Sequence, residues 1–167
     1  CLGWHWQPYR YTRHAGDVNG ARVLPLPHWL EELGRRALAA VGWPDSTAYV
    51  PDTAVINFYD KAAKMGLHQD KDERDLRAPI VSLSLGLPAV FLFGTANRKD
   101  RTQRHRLVHG DVVVWGGPSR LAYHGVLPLA DGNAEHRAED GKRALAALGR
   151  AVKPSVLREA IGSHSAP

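Results

Sequence analysis

Cysteine and long apolar runs are the two features that this chain of 167 residues most conspicuously lacks. Cys1 is the one cysteine, so the chain can form neither an internal disulfide nor a zinc site built from several thiolates. No apolar stretch is long enough to span a bilayer, and no basic segment followed by an apolar one resembles a secretory leader. From these absences we expect a cytoplasmic protein with no membrane partner.

Acidic residues are too few to balance the basic ones, which leaves a net charge of +5. A positive surface favours an anionic partner, most commonly a nucleic acid, although solvated basic faces also occur without one. The composition, 44% hydrophobic and 23% charged, is ordinary for a globular protein, and the length suits one domain. We expect a monomer.

Helix and strand patterns predict a mainly β protein with flanking helices. Apolar residues three and four positions apart predict one helix from Pro27 to Val41. Beyond Thr53, short β-branched and aromatic runs alternate with turns that contain glycine and proline, which predicts a sandwich or barrel. The predicted strands cover residues 54–59, 80–85, 90–93, 106–108 and 112–115, and a last strand carries His124.

Residues 67–72 contain a histidine and a carboxylate, His68 and Asp70, two positions apart. On an extended segment such residues project from the same face and can bind one cation together. With His124 they would supply two imidazoles and one carboxylate, the ligand set of non-haem Fe(II) oxygenases, which leaves positions open for a co-substrate and O2. The spacing alone does not distinguish such a site from polar residues at a strand end.

Two further segments suit a nucleic acid. The first, residues 1–27, holds four aromatic residues among prolines and glycines: Trp4, Trp6, Tyr9 and Tyr11. Such a segment is either a flap on which bases stack or a cover for one end of a sheet. The second, residues 97–106, is strongly basic, as in a solvated hairpin tip or a loop that holds phosphates.

Five motifs carry more information when they are read together. They are INFY at 56–59, LHQDKDE at 67–73, LRAPIVS at 76–82, SLGLP at 84–88 and HGDVVVWGG at 109–117. This set closely resembles the bacterial AlkB family of Fe(II)- and 2-oxoglutarate-dependent dioxygenases, which remove alkyl groups from damaged bases. The resemblance implies a double-stranded β-helix (a cupin-like jelly roll) over residues 1–129, with an N-terminal nucleotide-recognition flap.

The resemblance also implies the residues that bind the cofactor and the co-substrate. His68, Asp70 and His124 match the iron ligands of the family. Asn57 and Tyr59 match residues that hydrogen-bond 2-oxoglutarate.

For the substrate, the resemblance implies a second group of residues. Trp4 matches the aromatic residue that stacks on the flipped base, Asp72 matches a carboxylate beside that base, and Arg98 lies in the loop that approaches the lesion. Either Tyr9 or Tyr11 matches a phosphate-contacting tyrosine, because the alignment slips by two residues there.

The activity that the resemblance implies is oxidative dealkylation of N-methylated bases, of the 1-methyladenine and 3-methylcytosine type, in DNA or RNA. It would consume Fe(II)-activated O2 and 2-oxoglutarate and release formaldehyde. These bases carry a positive charge, which the Asp72 carboxylate and the π face of Trp4 would both favour. A base that pairs poorly also costs less to extrude from a duplex.

The last part of the chain departs from the family pattern. The family ends with an Asn-x-Thr-x-Arg strand whose two arginines clamp the 2-oxoglutarate carboxylate. Arg137 and Arg143 have the matching separation, but the sequence between them lacks strand character. We expect residues 130–167 to be a divergent tail with helices at 142–152 and 155–161.

Two alternative functions follow. A chain without the arginine clamp could bind iron and nucleic acid as a catalytically impaired homologue. An iron dioxygenase of the same build could instead act on a protein or a small molecule, although Trp4, Asp72 and the basic loop argue against that substrate class.

Overall fold

The computed structural model describes residues 1–59 and 63–128, which form two compact units. The first unit contains Cys1–Phe58 and Lys71–Asp75, and the second contains Tyr59–Asp70 and the chain from Leu76 onward. No helix in the described ranges is long and apolar enough to cross a membrane. The predicted tail helices and the Arg137 and Arg143 pair lie outside the described residues.

The aromatic N-terminal segment of the first unit is a β-hairpin. Strand β1 (His5–Gln7) pairs antiparallel with β2 (Arg10–Thr12), and the register places Trp6 opposite Tyr11. Tyr9 lies in the turn with a φ of 69°, in the left-handed region that residues other than glycine seldom adopt. The hairpin therefore places Trp6 and Tyr11 side by side on its two strands and Tyr9 in the turn between them.

One α-helix, α1 (His28–Ala40), follows the hairpin. Pro27 caps its N-terminus and Val41 its C-terminus, which confirms the predicted helix to within one residue at each end. The buried side of α1 carries Leu33, Ala37 and Leu38, spaced as the apolar periodicity requires. A 3-10 turn, Ser46–Ala48, then leads toward the strands.

Within the described residues of the second unit, six strands form two antiparallel sheets. The strands are β3 (Met65–His68), β4 (Ile80–Leu83), β5 (Ala89–Phe93), β6 (Gln103–Leu107), β7 (Val112–Trp115) and β8 (His124–Val126). The larger sheet has the order β3-β8-β5-β6, and the smaller one pairs β4 with β7. The prediction of a mainly β protein is confirmed.

Both sheets contribute to one hydrophobic core. Its buried members are Phe91, Phe93, Leu107, Val113, Trp115 and Ala122. The rings of Phe91 and Trp115, from different sheets, have centroids 6.0 Å apart. Each large apolar side chain contributes about 1.5–3 kcal/mol when it is buried in this way. The core thus fixes β5 and β7, and with them the neighbouring β8.

Two segments differ from the prediction. Residues 54–59 were expected to form a strand, but in the described chain they make only a single bridge, between Ala54 and Leu2, and Phe58 is 70% exposed. β-branched residues form a strand only where a neighbouring strand supplies hydrogen bonds. The basic loop is also shorter than expected, since β6 begins at Gln103 and pairs with the full length of β5.

Candidate metal centre

Three side chains of the second unit converge at the junction of β3 and β8. His68 ends β3, His124 begins β8, and the two residues are direct cross-strand neighbours with ring centroids 4.3 Å apart. Asp70 follows β3 and places Oδ1 3.4 Å from His68 Nε2 and Oδ2 3.4 Å from His124 Nε2. One ligand atom from each of the three residues lies within 4.8 Å of the others, close enough to surround one ion.

These three side chains differ in their exposure to solvent. The His124 side chain is only 6% exposed, whereas those of His68 and Asp70 are 36% and 32% exposed. The Trp115 ring, whose centroid is 4.8 Å from that of His124, covers the buried side. The centre therefore has an apolar inner wall and a solvent-facing side.

The second nitrogen of each imidazole faces a backbone carbonyl. His68 Nδ1 lies 2.9 Å from the Gly66 oxygen, and His124 Nδ1 lies 3.0 Å from the Ala122 oxygen. A proton on Nδ1 donates to that carbonyl and leaves the Nε2 lone pair free to bind a metal. Both rings thus present Nε2 beside the Asp70 carboxylate, a donor set that fits Fe(II).

Gln69 lies between His68 and Asp70 and connects their segment to the residues just before His124. Its side-chain amide donates a hydrogen bond of 2.6 Å to the Leu121 carbonyl, three residues before His124. This contact holds the segments that carry Asp70 and His124 side by side.

Arg120, which lies four residues before His124, also connects its own segment to the backbone at Asp70. It is only 4% exposed, and its Nη1 donates to the Asp70 carbonyl at 2.5 Å while its Nε donates to the Ala78 carbonyl at 2.9 Å. A buried guanidinium is costly unless its N–H groups find acceptors, so these bonds hold the Asp70 backbone in place. Sequence reasoning missed Arg120, although a lone arginine between a glycine-rich turn and the His124 strand was an available signal.

Gly125 allows β8 to lie close to β3. A Cβ atom at this position would come within 2.6 Å of the Met65 carbonyl oxygen, nearer than side chains approach backbone. Glycine is therefore required beside His124 if the two histidine-bearing strands are to remain in contact.

Charge interactions within the triad favour an ionised carboxylate. Burial of Asp70 opposes its ionisation, but hydrogen bonds from His124 and His68 outweigh burial and lower the pKa of the carboxyl. The pKa of His68 is raised above its usual 6.5, chiefly by its hydrogen bond to Asp70 and against the effect of burial. A proton and a metal ion therefore compete for His68 Nε2.

This competition predicts how iron binding depends on pH. Because a raised pKa keeps His68 protonated to a higher pH, iron affinity should fall as the pH drops below that pKa and should level off above it. Binding titrations between about pH 5.5 and about pH 8.5 would measure this, since histidines titrate in that interval. An affinity that stays constant across the interval would contradict the assignment of His68 as a ligand.

Comparison with known proteins shows which family this chain belongs to. The model of the 2OG-Fe(II) oxygenase superfamily matches residues 1–146. The chain is 52% identical over 134 residues to the alpha-ketoglutarate-dependent dioxygenase AlkB of Escherichia coli, an alignment that covers 78% of this chain and 60% of that protein. The chain belongs to the AlkB family of 2OG-Fe(II) oxygenases. Fe(II) and 2-oxoglutarate are the cofactor and co-substrate of this family.

More distant members of the AlkB family match as well. The DNA N(6)-methyladenine demethylase ALKBH1D of Arabidopsis thaliana is 34% identical over 149 residues, which cover 80% of this chain and 34% of that protein. The solved structure of OsALKBH1 superposes with a TM-score of 0.62 at 31% identity, and the match covers 77% of this chain and 64% of that one. The jelly-roll fold expected for the AlkB family is thereby confirmed. The chain spans about 60% of the length of AlkB from Escherichia coli.

The residues expected to hydrogen-bond 2-oxoglutarate lie in different units. Tyr59, in the second unit, directs its hydroxyl at the Met65 sulfur, 3.7 Å away on the strand that carries His68. Burial raises the pKa of Tyr59 above its usual 10, which makes its phenol harder to ionise. Asn57 belongs to the first unit and is exposed.

Trp4 and Asp72, two residues expected to contact the base, both lie in the first unit and both have partners there. The Arg13 guanidinium lies 3.6 Å from the centroid of the Trp4 ring. Asp72 accepts a hydrogen bond of 2.9 Å from the Trp6 indole nitrogen. Sequence reasoning identified Trp4 and Asp72 but not these partners.

Arg98 belongs to the second unit, in the loop before β6. Its guanidinium carbon is 5.8 Å from the ring centroid of Tyr123, the residue that precedes His124. The basic loop therefore reaches the neighbourhood of the strand that begins at His124.

Proposed function

We propose that this chain is an Fe(II)- and 2-oxoglutarate-dependent dioxygenase that oxidatively dealkylates N-methylated bases in DNA or RNA. The observation that carries the proposal is the convergence of His68, Asp70 and His124, with both Nε2 atoms turned toward the carboxylate. Membership of the AlkB family supports it.

In this proposal the three triad residues bind the iron through one face, and Asn57 and Tyr59 orient the keto acid. When bound, iron with 2-oxoglutarate and O2 would supply the oxidation of an N-methyl group to a hydroxymethyl group. One oxygen atom of O2 would enter the methyl group and the other the succinate that forms from 2-oxoglutarate with loss of CO2, and the hydroxymethyl group would then leave the base as formaldehyde. The buried wall formed by Trp115 keeps water from the inner side of the centre.

Substrate recognition is assigned to Trp4, Asp72 and Arg98. The Trp4 ring already holds a planar cation, the Arg13 guanidinium, and a methylated adenine or cytosine is also a planar cation. Asp72 would accept from the exocyclic amine of that base, and Arg98 would pair with phosphate. The Arabidopsis relative is a DNA N(6)-methyladenine demethylase, which supports a methylated nucleic acid as the substrate.

The hairpin also suggests which tyrosine contacts phosphate. Tyr11 donates its hydroxyl to Glu73 at 2.9 Å, whereas Tyr9 is 87% exposed at the turn. We assign the phosphate contact to Tyr9.

The proposal also covers the domain organisation, the oligomeric state and the cellular location of the protein. Residues 1–129 would act as one β-helix domain with the β1–β2 hairpin as its nucleotide-recognition flap. The protein would act as a monomer in the cytoplasm, where a reducing medium keeps iron ferrous.

Anaerobic loading with Fe(II), followed by titration with 2-oxoglutarate, tests the proposal. We expect the metal-to-ligand charge-transfer absorption band of the ternary complex, and then formaldehyde release from an oligonucleotide that contains 1-methyladenine when O2 is admitted. The same oligonucleotide without the methyl group is the control.

The other outcomes are equally informative. Iron binding without any charge-transfer band would support the catalytically impaired homologue, as expected if the arginine clamp is missing. A charge-transfer band without formaldehyde release from methylated DNA or RNA would favour a protein or small molecule as the substrate.

A further inference from the structure

The hairpin of the first unit contacts two consecutive carboxylates through two neighbouring side chains. Trp6 and Tyr11 are cross-strand partners, so their side chains project from the same face of the hairpin. The Trp6 Nε1–H donates to Asp72 Oδ2 at 2.9 Å, and the Tyr11 hydroxyl donates to Glu73 Oε1 at 2.9 Å. The hairpin thus binds the segment that follows Asp70 at two adjacent points.

The geometry of the Trp6 contact determines how Asp72 can meet a ligand. A carboxylate accepts hydrogen bonds through both oxygens. The indole N–H binds Oδ2, which restricts the rotation of the carboxylate and leaves Oδ1 to accept from another donor. Because Tyr11 holds the next residue, the backbone that carries Asp72 is restrained as well.

We infer that Trp6 is a positioning residue that makes Asp72 selective for bases with an exocyclic amine. This inference rests on the proposed function. A carboxylate oxygen held in one orientation accepts from the amine of 1-methyladenine or 3-methylcytosine. 3-Methylthymine presents a carbonyl oxygen in place of that amine, so it gains nothing from the same contact and is repelled by the negative charge.

Replacing Trp6 with phenylalanine tests this role, because the ring is kept and only the N–H donor is lost. With oligonucleotides bound to the iron-loaded protein in the absence of O2, we expect the affinity for 1-methyladenine to fall about fivefold, as for one lost hydrogen bond. The affinity for 3-methylthymine should change by less than about twofold, since no donor on that base depends on Asp72. The ratio of the two affinities is the measured selectivity.

Trp29→Phe is the matched control, because it makes the same exchange on α1. Its selectivity ratio should equal that of the unchanged protein. A second readout needs no substrate: the indole N–H resonance that disappears in Trp6→Phe should shift in Asp72→Ala, as expected for a hydrogen-bonded pair.

The outcomes separate this inference from the function on which it rests. Equal losses for both lesions in Trp6→Phe, or no loss for either, overturn the positioning role while leaving the proposed function intact. If the unchanged protein does not distinguish methylated from unmethylated oligonucleotides, the proposed function fails and the inference fails with it.

Discussion

Iron binding should be lost when His68 is replaced by alanine. The variant removes one of three ligand atoms that lie within 4.8 Å of one another and leaves Asp70 with a single imidazole partner. Because altering even a group that only supports a ligand costs about 10- to 100-fold in metal affinity, loss of the ligand itself should exceed about a hundredfold. Anaerobic Fe(II) titration measures the loss, and the charge-transfer band with 2-oxoglutarate should disappear with it.

His28→Ala provides the control for this experiment. His28 is the first residue of α1 and its side chain is 80% exposed, so its removal should leave iron affinity unchanged. Demethylation that persists in His68→Ala would overturn the assignment of the centre.

Arg120→Met should loosen the same centre without removing a ligand. Methionine keeps much of the volume but leaves the carbonyls of Asp70 and Ala78 without their buried donor. A hydrogen bond from a charged donor contributes about 1.5–3 kcal/mol, so the loss of both bonds should lower the free energy of unfolding by about 3–6 kcal/mol. Iron affinity should fall about 10- to 100-fold, as for other residues that orient a metal ligand.

Denaturant unfolding of the metal-free protein measures the first effect, and iron titration of the folded variant measures the second. Arg106→Met is the matched control, since Arg106 is exposed on β6 and its loss should change neither quantity by much. An Arg120→Met protein with unchanged iron affinity would show that the Asp70 backbone needs no such support.

The sequence alone was sufficient to predict the features whose pattern lies within a short stretch of the chain. Apolar periodicity predicted α1, and β-branched runs between glycine and proline turns predicted β4, β5 and β7, because each of these elements buries one face in a core. The His-x-Asp spacing together with a distant histidine pointed to the triad, since an extended segment projects residues two positions apart from the same face.

The sequence alone was insufficient to predict structure that depends on contacts with residues far away along the chain. Residues 54–59 have strong β propensity, yet a strand also needs a neighbour, and propensity carries no information about neighbours. The contacts of Gln69 and Arg120 were likewise invisible, because a side chain that donates to a remote carbonyl leaves no periodic pattern. In the sequence Trp6 is one of several aromatic residues, and the role proposed for it depends on the hairpin register.

The unequal exposure of His68, Asp70 and His124 implies an order in which an ion would meet these side chains. With His124 deep against Trp115 and the other two near the surface, an arriving ion would meet the outer pair first and reach the inner imidazole last. Departure would follow the reverse order, so a chelator would reach the ion from the solvent-exposed side that His68 and Asp70 form.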